Sequence, residues 1–408
     1  MEKLFVMSKK DLERYAVLEK AIEKRISQVN AAEMLGISDR HFRRLMKAYK
    51  KEGARGLASK RIGKPSNNRK PEKERKEATK LIKKKYEGFG PTLAREKLLE
   101  NHRIKASVET VRKWMIEEGL WKEKRKREGK VHQSRERRER EGELVQIDGS
   151  PHDWFEGRRE KCCLLGFIDD ATSKIKHLKF IEVETTRGYL EGVKEYIEKH
   201  GRPERFYSDR HNIFRINSKE DGYRKKGITQ LGRALKELSI ELICANSPQA
   251  KGRIERLFKT LQDRLVKELR LEGISTIEEA NKYLEKYIKK HNRKFAIEAL
   301  KKENKHRELE KETDLEEILC YKTERTVSKN LEISYEGRVV QIEPDKNINR
   351  LKKTKIMVVE KLDGTLKLDH QGKELKYKDL LMRDHQGRIL DRKRVLGTTQ
   401  MTQKRVVA

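Results

Sequence analysis

No stretch of this sequence is apolar enough, for long enough, to cross a membrane. A membrane helix needs roughly 18 consecutive apolar residues, and no run here approaches that length. The apolar piece from Leu4 to Met7 is also far too short for the apolar region of a signal peptide. We therefore expect a soluble protein of the cytoplasm.

Cysteine is scarce, and its positions do not follow a metal-binding pattern. The sequence contains no Cys-x-x-Cys pair and no Cys/His spacing typical of zinc sites. Three of the cysteines lie inside apolar, strand-like runs, where cysteine is most often a small buried hydrophobic residue. We expect reduced thiols at all four positions, which are Cys162, Cys163, Cys244 and Cys320.

Acidic residues are few relative to basic ones, and apolar residues are few overall. Lys and Arg number 100 against 67 Asp and Glu, which gives a formal net charge of +33 and an isoelectric point near 9.8. An excess of this size favours nucleic acid as a partner over a basic surface that only contacts solvent. Because 35% of residues are hydrophobic and 41% charged, the cores must be concentrated in segments of a chain long enough for two to four domains.

The first 60 residues are predicted to form a helix-turn-helix domain. Helical patterns cover 12–25 and 29–35, Gly36 stops the second, and Ser38 is the candidate N-cap of a third. In the third helix, Phe42, Leu45 and Met46 are predicted to point inward, and the opposite face is basic. Such a helix is typical of one that enters the DNA major groove, although a plain three-helix bundle is the alternative. The candidate DNA-binding residues are Arg40, His41, Arg43, Arg44 and Lys47.

Residues 61–121 are predicted to contain a linker and a second helix-turn-helix. The stretch 53–76 is rich in Gly, Ser, Asn, Pro and basic residues, which indicates a linker, and helical patterns return at 80–120. Ser107 is a candidate cap for a basic helix with possible DNA contacts at Thr110, Arg112 and Lys113. Residues 122–142 are almost wholly charged and are predicted to be a basic linker.

Residues 143–292 change character, because strand-like and helical patterns alternate there. Three strands, the last two joined by the turn 169–173, are followed by helix, strand, helix, strand and helix. This order predicts a mixed sheet with helices on its faces and matches the ribonuclease H-like fold. The predicted strands are 144–147, 162–168, 175–183, 205–208 and 240–245, and the predicted helices are 186–200, 229–238 and 248–272.

The C-terminal part returns to short strands. Residues 293–330 are charged and are predicted to be a connector. Residues 331–385 alternate with period two and predict a small β-barrel of about five strands, and 386–408 are predicted to be a disordered tail. The expected fold class is multidomain α/β, with helix-turn-helix domains before a ribonuclease H-like core and a small β-barrel after it.

Three acidic residues stand where a metal ion could reach them. Asp148 ends the first strand-like run, before a Gly-Ser pair predicted to turn the chain away; Asp209 ends the fourth run, and Glu255 lies on the last helix of the core. Hard carboxylate ligands suit Mg²⁺ or Mn²⁺. Each acid also has a structural explanation, as a turn residue, a cap and a solvent-facing helix residue respectively. Asp169 and Asp170 are predicted to be turn residues of the hairpin rather than ligands.

Four motifs in order make a specific resemblance. They are Asp148–Phe155, Phe167–Thr172, Tyr207–Phe214 and Asn246–Glu255. Together they resemble the DDE transposases with a retroviral integrase-like core, and most closely the ISNCY group of bacterial insertion sequences. The resemblance runs from the first helix-turn-helix to Asn330–Ile342, which is nearly the whole chain.

The resemblance implies that Asp148, Asp209 and Glu255 are the catalytic triad and the metal ligands. The implied cofactor is Mg²⁺ or Mn²⁺, with two ions per site about 3.5–4 Å apart. Such a site would hydrolyse the end of the element and let the exposed 3′-hydroxyl attack target DNA. Further DNA contacts are assigned around the glutamate to Lys251, Arg253 and Lys259. One departure is Gln262, which stands two helical turns after the glutamate where many integrase-type cores have a basic residue.

The implied partners are double-stranded DNA, as terminal inverted repeats and target, and further copies of the chain in a synaptic complex. The implied place is the bacterial cytoplasm, at the nucleoid. Two alternatives remain at this point. One is a ribonuclease H-like nuclease without strand transfer, and the other is a catalytically inactive, transposase-derived DNA-binding regulator.

Overall fold

This computed structural model describes most of the chain, in two compact units. The described residues are 7–58, 69–123, 136–216, 228–245, 252–343, 350–383 and 389–390. One unit comprises Met1–Tyr86 with Arg95–Trp121, and the other comprises Glu87–Ala94 with Lys122–Ala408. In the described part of the chain, no helix is long and apolar enough to cross a membrane.

The first unit begins with the three helices expected from the sequence. They are α1 (Lys9–Ile22), α2 (Gln28–Met34) and α3 (Asp39–Glu52), followed by a 3₁₀ turn at Gly53–Gly56. Each α-helix starts after a serine whose hydroxyl accepts a hydrogen bond from a backbone N–H of the first turn. Gly36 joins α2 to α3 at a φ of +62°, a conformation that favours glycine.

Three more helices follow in the first half of the chain. They are α4 (Glu72–Lys85), α5 (Pro91–His102) and α6 (Val108–Glu117). The linker prediction was too long, because α4 already begins at Glu72 and the 3₁₀ turn occupies its first residues. The predicted cap of α6 is confirmed: the Ser107 hydroxyl accepts from the backbone N–H of Thr110, 3.0 Å away.

A five-stranded mixed sheet forms the centre of the second unit. Its strand order is β3-β2-β1-β4-β5, with β1–β2 and β2–β3 antiparallel and β1–β4 and β4–β5 parallel. The order of strands and helices through α9 is the one that the sequence predicted, whereas α10 was not predicted. The elements are β1 (Val145–His152), β2 (Cys162–Asp169), β3 (Ile175–Ile181), α7 (Thr186–His200), β4 (Arg205–Ser208), α8 (Gln230–Glu237), β5 (Glu241–Cys244), α9 (Gly252–Leu271) and α10 (Ile277–Phe295).

Strand β1 is longer than the sequence suggested, and this changes the setting of Asp148. The Gly-Ser pair was expected to turn the chain away, but β1 continues to His152, which pairs with Cys162 of β2. Asp148 therefore lies within the strand and not at its end. The extension forms because β2 offers an unbroken partner along the whole of β1.

Each face of the sheet is covered by a pair of helices. Helices α7 and α8 pack on the face that carries Val145 and Ile147 of β1. Helices α9 and α10 pack on the opposite face, which carries Leu164 of β2 and Phe180 of β3. Because successive strand residues alternate between faces, Asp148 belongs to the face of α9.

The C-terminal part differs from the expected barrel of about five strands. Its described strands form two four-stranded sheets, ordered β11-β10-β9-β6 and β13-β12-β8-β7, and these described strands show no closed barrel. The prediction missed β6, within the predicted connector, and β13, within the predicted disordered tail; the rest of that tail lies outside the described residues. The elements are α11 (Leu315–Ile318), β6 (Tyr321–Thr326), β7 (Glu332–Tyr335), β8 (Arg338–Ile342), β9 (Lys355–Glu360), β10 (Leu366–His370), β11 (Lys373–Leu375), β12 (Tyr377–Arg383) and β13 (Ile389–Leu390).

Candidate active site and DNA-binding faces

The register of two parallel strands aligns the first two acids. Val145 pairs with Phe206, and Gln146 with Tyr207. Continued by two residues beyond these pairs, the same register would bring Asp209, the residue after the end of β4, opposite Asp148. Neighbouring strands lie about 4.8 Å apart, and residues in register on parallel strands share a face. Both carboxylates are half-buried.

The third acid lies on the helix that runs beside β1. Glu255 is in the first turn of α9 and is exposed. Gln262 lies seven residues further on, hence on the same side of the helix, and its Nε2 donates to Ser150 Oγ of β1 at 3.2 Å. The stripe of α9 that carries Glu255 therefore faces the part of β1 that carries Asp148.

The three carboxylates do not form a closed metal-binding cluster in this arrangement. Among the residues that the structure describes, no three His, Cys, Asp or Glu side chains are close enough to hold one metal ion together. Carboxylates repel one another when no cation neutralises them. The donor set still fits Mg²⁺ or Mn²⁺, because these ions prefer carboxylate oxygen and two of the acids are aligned by strand register.

A fourth acid, which the sequence analysis did not single out, lies against Gly149, the residue after Asp148. The Glu184 carboxylate accepts a hydrogen bond of 2.7 Å from the Tyr189 hydroxyl and lies against Gly149. Burial and then the charges of Glu184 and Asp148 raise the pKa of Tyr189. Burial raises the pKa of Cys163 to about 12, with smaller contributions from the same two acids. The charges of Glu184 and Asp148 therefore both raise the pKa values of Tyr189 and Cys163.

The hairpin acids Asp169 and Asp170 are structural, as expected, and bind more than their own turn. Asp169 is fully buried and accepts from the backbone N–H groups of Gly142 and Thr172, both at 2.8 Å. Burial raises the pKa of its carboxyl in spite of these bonds. Asp170 is fully buried too and accepts from the backbone N–H of Arg138 at 2.9 Å. The two acids fasten the preceding segment to the sheet.

Arg253 was predicted to contact DNA, and in the structure its side chain lies in a buried ion pair. Its guanidinium forms an ion pair with Asp170 at 3.0 Å, with 9% of the arginine side chain and none of the aspartate exposed. A guanidinium held in this way is a structural partner of the sheet. Of its predicted companions, Lys259 is exposed and Lys251 lies outside the described residues.

The basic face of α3 is accessible. Phe42 and Met46 are buried, and His41 is half-buried. The exposed members of the predicted set are Arg40, Arg43, Arg44 and Lys47. The face predicted to enter a DNA groove is therefore free of core packing.

On the corresponding face of α6, some of the predicted side chains already bind neighbours at the same helix. The Thr110 and Ser107 hydroxyls form a hydrogen bond of 2.8 Å, and Arg112 forms an ion pair of 2.6 Å with Glu109. Lys113 is exposed. Lys113 is thus the most accessible of the three residues predicted there.

Known families and proteins resemble this chain in both halves. The winged helix-turn-helix family model matches residues 15–75. The y4bF protein of Sinorhizobium fredii is named as a transposase. It is 44% identical to this chain over 376 residues, which cover 92% of this chain and 82% of that protein. The transposase for insertion sequence IS1202 of Streptococcus pneumoniae is 30% identical over 421 residues, covering 92% of this chain and 87% of its own length.

Two solved structures are more distantly similar. The HTLV-2 integrase catalytic core domain in complex with magnesium has 16% identity and a TM-score of 0.30, covering 39% of this chain and 92% of that one. A simian T-cell lymphotropic virus intasome, in complex with the PP2A regulatory subunit B56 gamma, has 13% identity and a TM-score of 0.33, covering 75% and 97%. At these values neither structure adds to the description of the fold.

Proposed function

This chain belongs to the insertion-sequence transposases, and from that premise we propose that it cleaves the ends of its element and joins them to target DNA. The carboxylates of Asp148, Asp209 and Glu255 are the acids of this reaction. The observation that supports the proposal is the β1–β4 register, whose continuation by two residues would bring Asp148 and Asp209 together on the face of the sheet that α9 covers.

The proposed cofactor is Mg²⁺ or Mn²⁺, as two ions per site. When bound, such ions activate the attacking water or 3′-hydroxyl and stabilise the leaving oxygen. Asp148, Asp209 and Glu255 would be the residues that hold the ions in this proposal. The protein's own task is to hold Asp148 on β1, Asp209 directly after the adjacent β4, and Glu255 on a helix anchored to the same sheet.

The proposed DNA partners follow from the charge and from the first unit. A net charge of +33 favours phosphate contacts, and the exposed residues of α3 supply a face for the terminal repeats. Joining two ends at one target requires at least two copies of the chain, so a homo-oligomer on DNA is part of the proposal. Its place in the cell is the bacterial cytoplasm, with the DNA.

A second candidate is an inactive transposase-derived regulator that binds the same DNA. The observation in its favour is that Asp148, Asp209 and Glu255 do not form a closed cluster among the described residues. Binding of element ends would then persist without any cleavage. A nuclease without strand transfer differs from both in that it would leave nicked but unjoined DNA.

The deciding experiment combines the full-length protein with a labelled duplex that carries the element's end, and with a plasmid target. Reactions contain Mg²⁺, Mn²⁺ or EDTA. Asp148→Asn, Asp209→Asn and Glu255→Gln are the test variants. Asp263→Asn is the matched control, because Asp263 is an exposed acid on α9 that forms an ion pair with Lys267.

Metal-dependent nicking and a joined product, both abolished in the three test variants and retained in the control, would support the transposase with this triad. Nicking without joining would instead favour the nuclease. Tight end binding without cleavage in either metal would favour the regulator. Cleavage that survives Glu255→Gln would remove that residue from the triad.

A further inference from the structure

A glutamine buried beneath the acids connects β1 to the start of α9. Gln146 has no exposed surface and precedes Asp148 by two residues, so both side chains lie on the same face of the sheet. Its Nε2 donates to Asp170 Oδ1 at 2.8 Å. Its Oε1 accepts from the backbone N–H of Ile254 at 3.2 Å. Both ends of this carboxamide are therefore used in the protein interior.

The bond to Ile254 caps a helix. The first N–H groups of an α-helix have no acceptor within the helix, and Ile254 is the third residue of α9. Such groups are commonly capped by a side chain that just precedes the helix. Here the acceptor comes from a strand 108 residues earlier in the chain. The position of the first turn of α9 is therefore set by β1.

Asp170 determines which way the carboxamide points. A carboxylate only accepts hydrogen bonds and a backbone N–H only donates, so the amide nitrogen must face Asp170 and the oxygen must face Ile254. Asp170 also forms the buried ion pair with Arg253, the residue before Ile254. Two consecutive residues of α9 are thus fixed to the sheet immediately before Glu255.

A second hydrogen bond fixes the helix further along. Ser150 Oγ accepts from Gln262 Nε2, so the two contacts lie four residues apart on β1 and eight apart on α9. Four strand residues span about 13 Å, and eight helical residues span about 12 Å. The helix therefore runs alongside the strand over this length, with Asp148 midway between the two contacts.

We propose that Gln146 is a positioning residue that, through Asp170 and the Ile254 amide, holds Glu255 at the distance from Asp148 needed for metal binding. This proposal rests on the proposed function, since it concerns the same site. Gln146 touches neither DNA nor metal in this role. Its removal should weaken metal binding and cleavage, and should leave binding of the element's end by the first unit unchanged.

The test uses three single variants and one double variant of the full chain. Gln146→Met keeps the size of the side chain and removes both hydrogen bonds. Gln146→Glu keeps an acceptor for the Ile254 N–H but places a second negative charge against Asp170. Asp170→Asn alone removes the charge that pairs with Arg253. The double variant Gln146→Glu/Asp170→Asn exchanges amide and carboxylate, which restores one donor and one acceptor between the two side chains and keeps one negative charge.

The matched control is Gln230→Met. Gln230 donates to Lys322 O at 2.8 Å, accepts from Lys322 N at 3.1 Å and accepts from Arg233 Nε at 3.3 Å. Its loss removes at least as many hydrogen bonds as Gln146→Met, but Gln230 joins α8 to β6 and not β1 to α9. Any effect of simple destabilisation should appear in this variant as well.

Three quantities are measured: Mn²⁺ binding to the protein alone, by electron paramagnetic resonance of the free ion; binding of the end duplex; and the cleavage rate at saturating duplex. We expect Gln146→Met and Gln146→Glu to weaken Mn²⁺ binding and slow cleavage by about tenfold or more. Duplex binding should change by less than about twofold. The double variant should recover most of the loss, and Gln230→Met should resemble the wild type.

Equal losses in Gln146→Met and Gln230→Met, or no recovery in the double variant, would overturn the positioning role. A wild type that binds Mn²⁺ but never cleaves would overturn the proposed function, while Mn²⁺ affinities would still decide the role of Gln146. A wild type that does not bind Mn²⁺ at all would overturn both.

Discussion

The hydroxyl of Tyr189 donates a hydrogen bond of 2.7 Å to Glu184 Oε1, and the carboxylate held there lies against the backbone of Gly149. A Cβ atom built on Gly149 would come within 2.7 Å of the Glu184 carboxylate carbon. Glycine at this position is therefore required by a close approach of another residue to the strand. The sequence had suggested a turn instead.

Gly149→Ala should consequently disturb the candidate active site next to Asp148. The added methyl group must displace Glu184, and overpacking of this kind typically destabilises by about 1–3 kcal/mol. Urea unfolding and the end-cleavage rate would both be measured. Glu184→Ala in the same chain should restore much of the stability.

Gly252→Ala is the control, because among the described residues an added Cβ would meet only Arg256 Nη2, at 3.9 Å, apart from the adjoining backbone. Alanine within a helix is favoured over glycine by about 1 kcal/mol, so this variant should be neutral or slightly more stable. A Gly149→Ala protein as stable and active as the wild type would contradict the close contact.

Arg253 and Arg256 should respond to substitution in different ways. Arg253→Met leaves Asp170 buried without its ion-pair partner, which typically costs about 3–5 kcal/mol. Arg256 is exposed, so Arg256→Met should change the free energy of unfolding by no more than about 0.5 kcal/mol. Urea unfolding measures both. If Arg253→Met reduced DNA affinity while stability stayed unchanged, the original DNA-binding assignment would be correct after all.

The exposed face of α3 should carry the binding of element ends. Arg43→Ala and Lys47→Ala should each weaken binding of the end duplex by about tenfold, as expected for a lost base or phosphate contact of 1–3 kcal/mol. A lost phosphate contact should also lower the slope of log affinity against log salt by about 0.9. Fluorescence anisotropy over a salt series gives both values.

Lys20→Ala serves as the comparison for these variants, since Lys20 is an exposed basic residue on α1. It should have little effect on affinity. Equal losses for Lys20→Ala and Lys47→Ala would indicate a diffuse charge effect and would argue against a specific role for α3.

Two half-buried histidines should make stability depend on pH. Burial lowers the pKa of His200 and of His306 to about 4, and the charge of Lys176 acts in the same direction on both. His306 Nε2 forms a hydrogen bond of 2.7 Å with the Tyr196 hydroxyl.

In the unfolded chain these imidazoles take up protons near pH 6.5, whereas the folded protein resists this until about pH 4. The unfolded state therefore binds more protons in that interval, and stability should fall as the pH is lowered from about 6.5 towards 4. His306→Gln should reduce the fall in urea-unfolding free energy between pH 7.5 and 5. His211→Gln, at an exposed position, is the control; an unchanged profile in His306→Gln would refute the assignment.

Several features of the fold could be predicted because they depend on residues close together in the chain. Serine caps and the period of buried residues identify α3 and α6, and the alternation of strands and helices identifies the core. The resemblance of four short motifs then selected Asp148, Asp209 and Glu255. The limits of single elements were less certain: β1 extends past Gly149 because it has a partner in β2, and no local pattern records that partner.

The sequence by itself determined the kind of protein. It is basic, it has capped helices in its first part and a mixed sheet later in the chain, and it has acids at particular strand and helix positions. Only the tertiary structure decided which polar groups meet. Gln146 binds Ile254 across 108 residues, and Arg253 pairs with the buried Asp170. A glutamine within an otherwise apolar strand is the one sequence signal that points to the Gln146 contact. Because hydrogen bonds and ion pairs form between groups that folding brings together, their partners depend on the packing of β1 against α9 and not on local sequence.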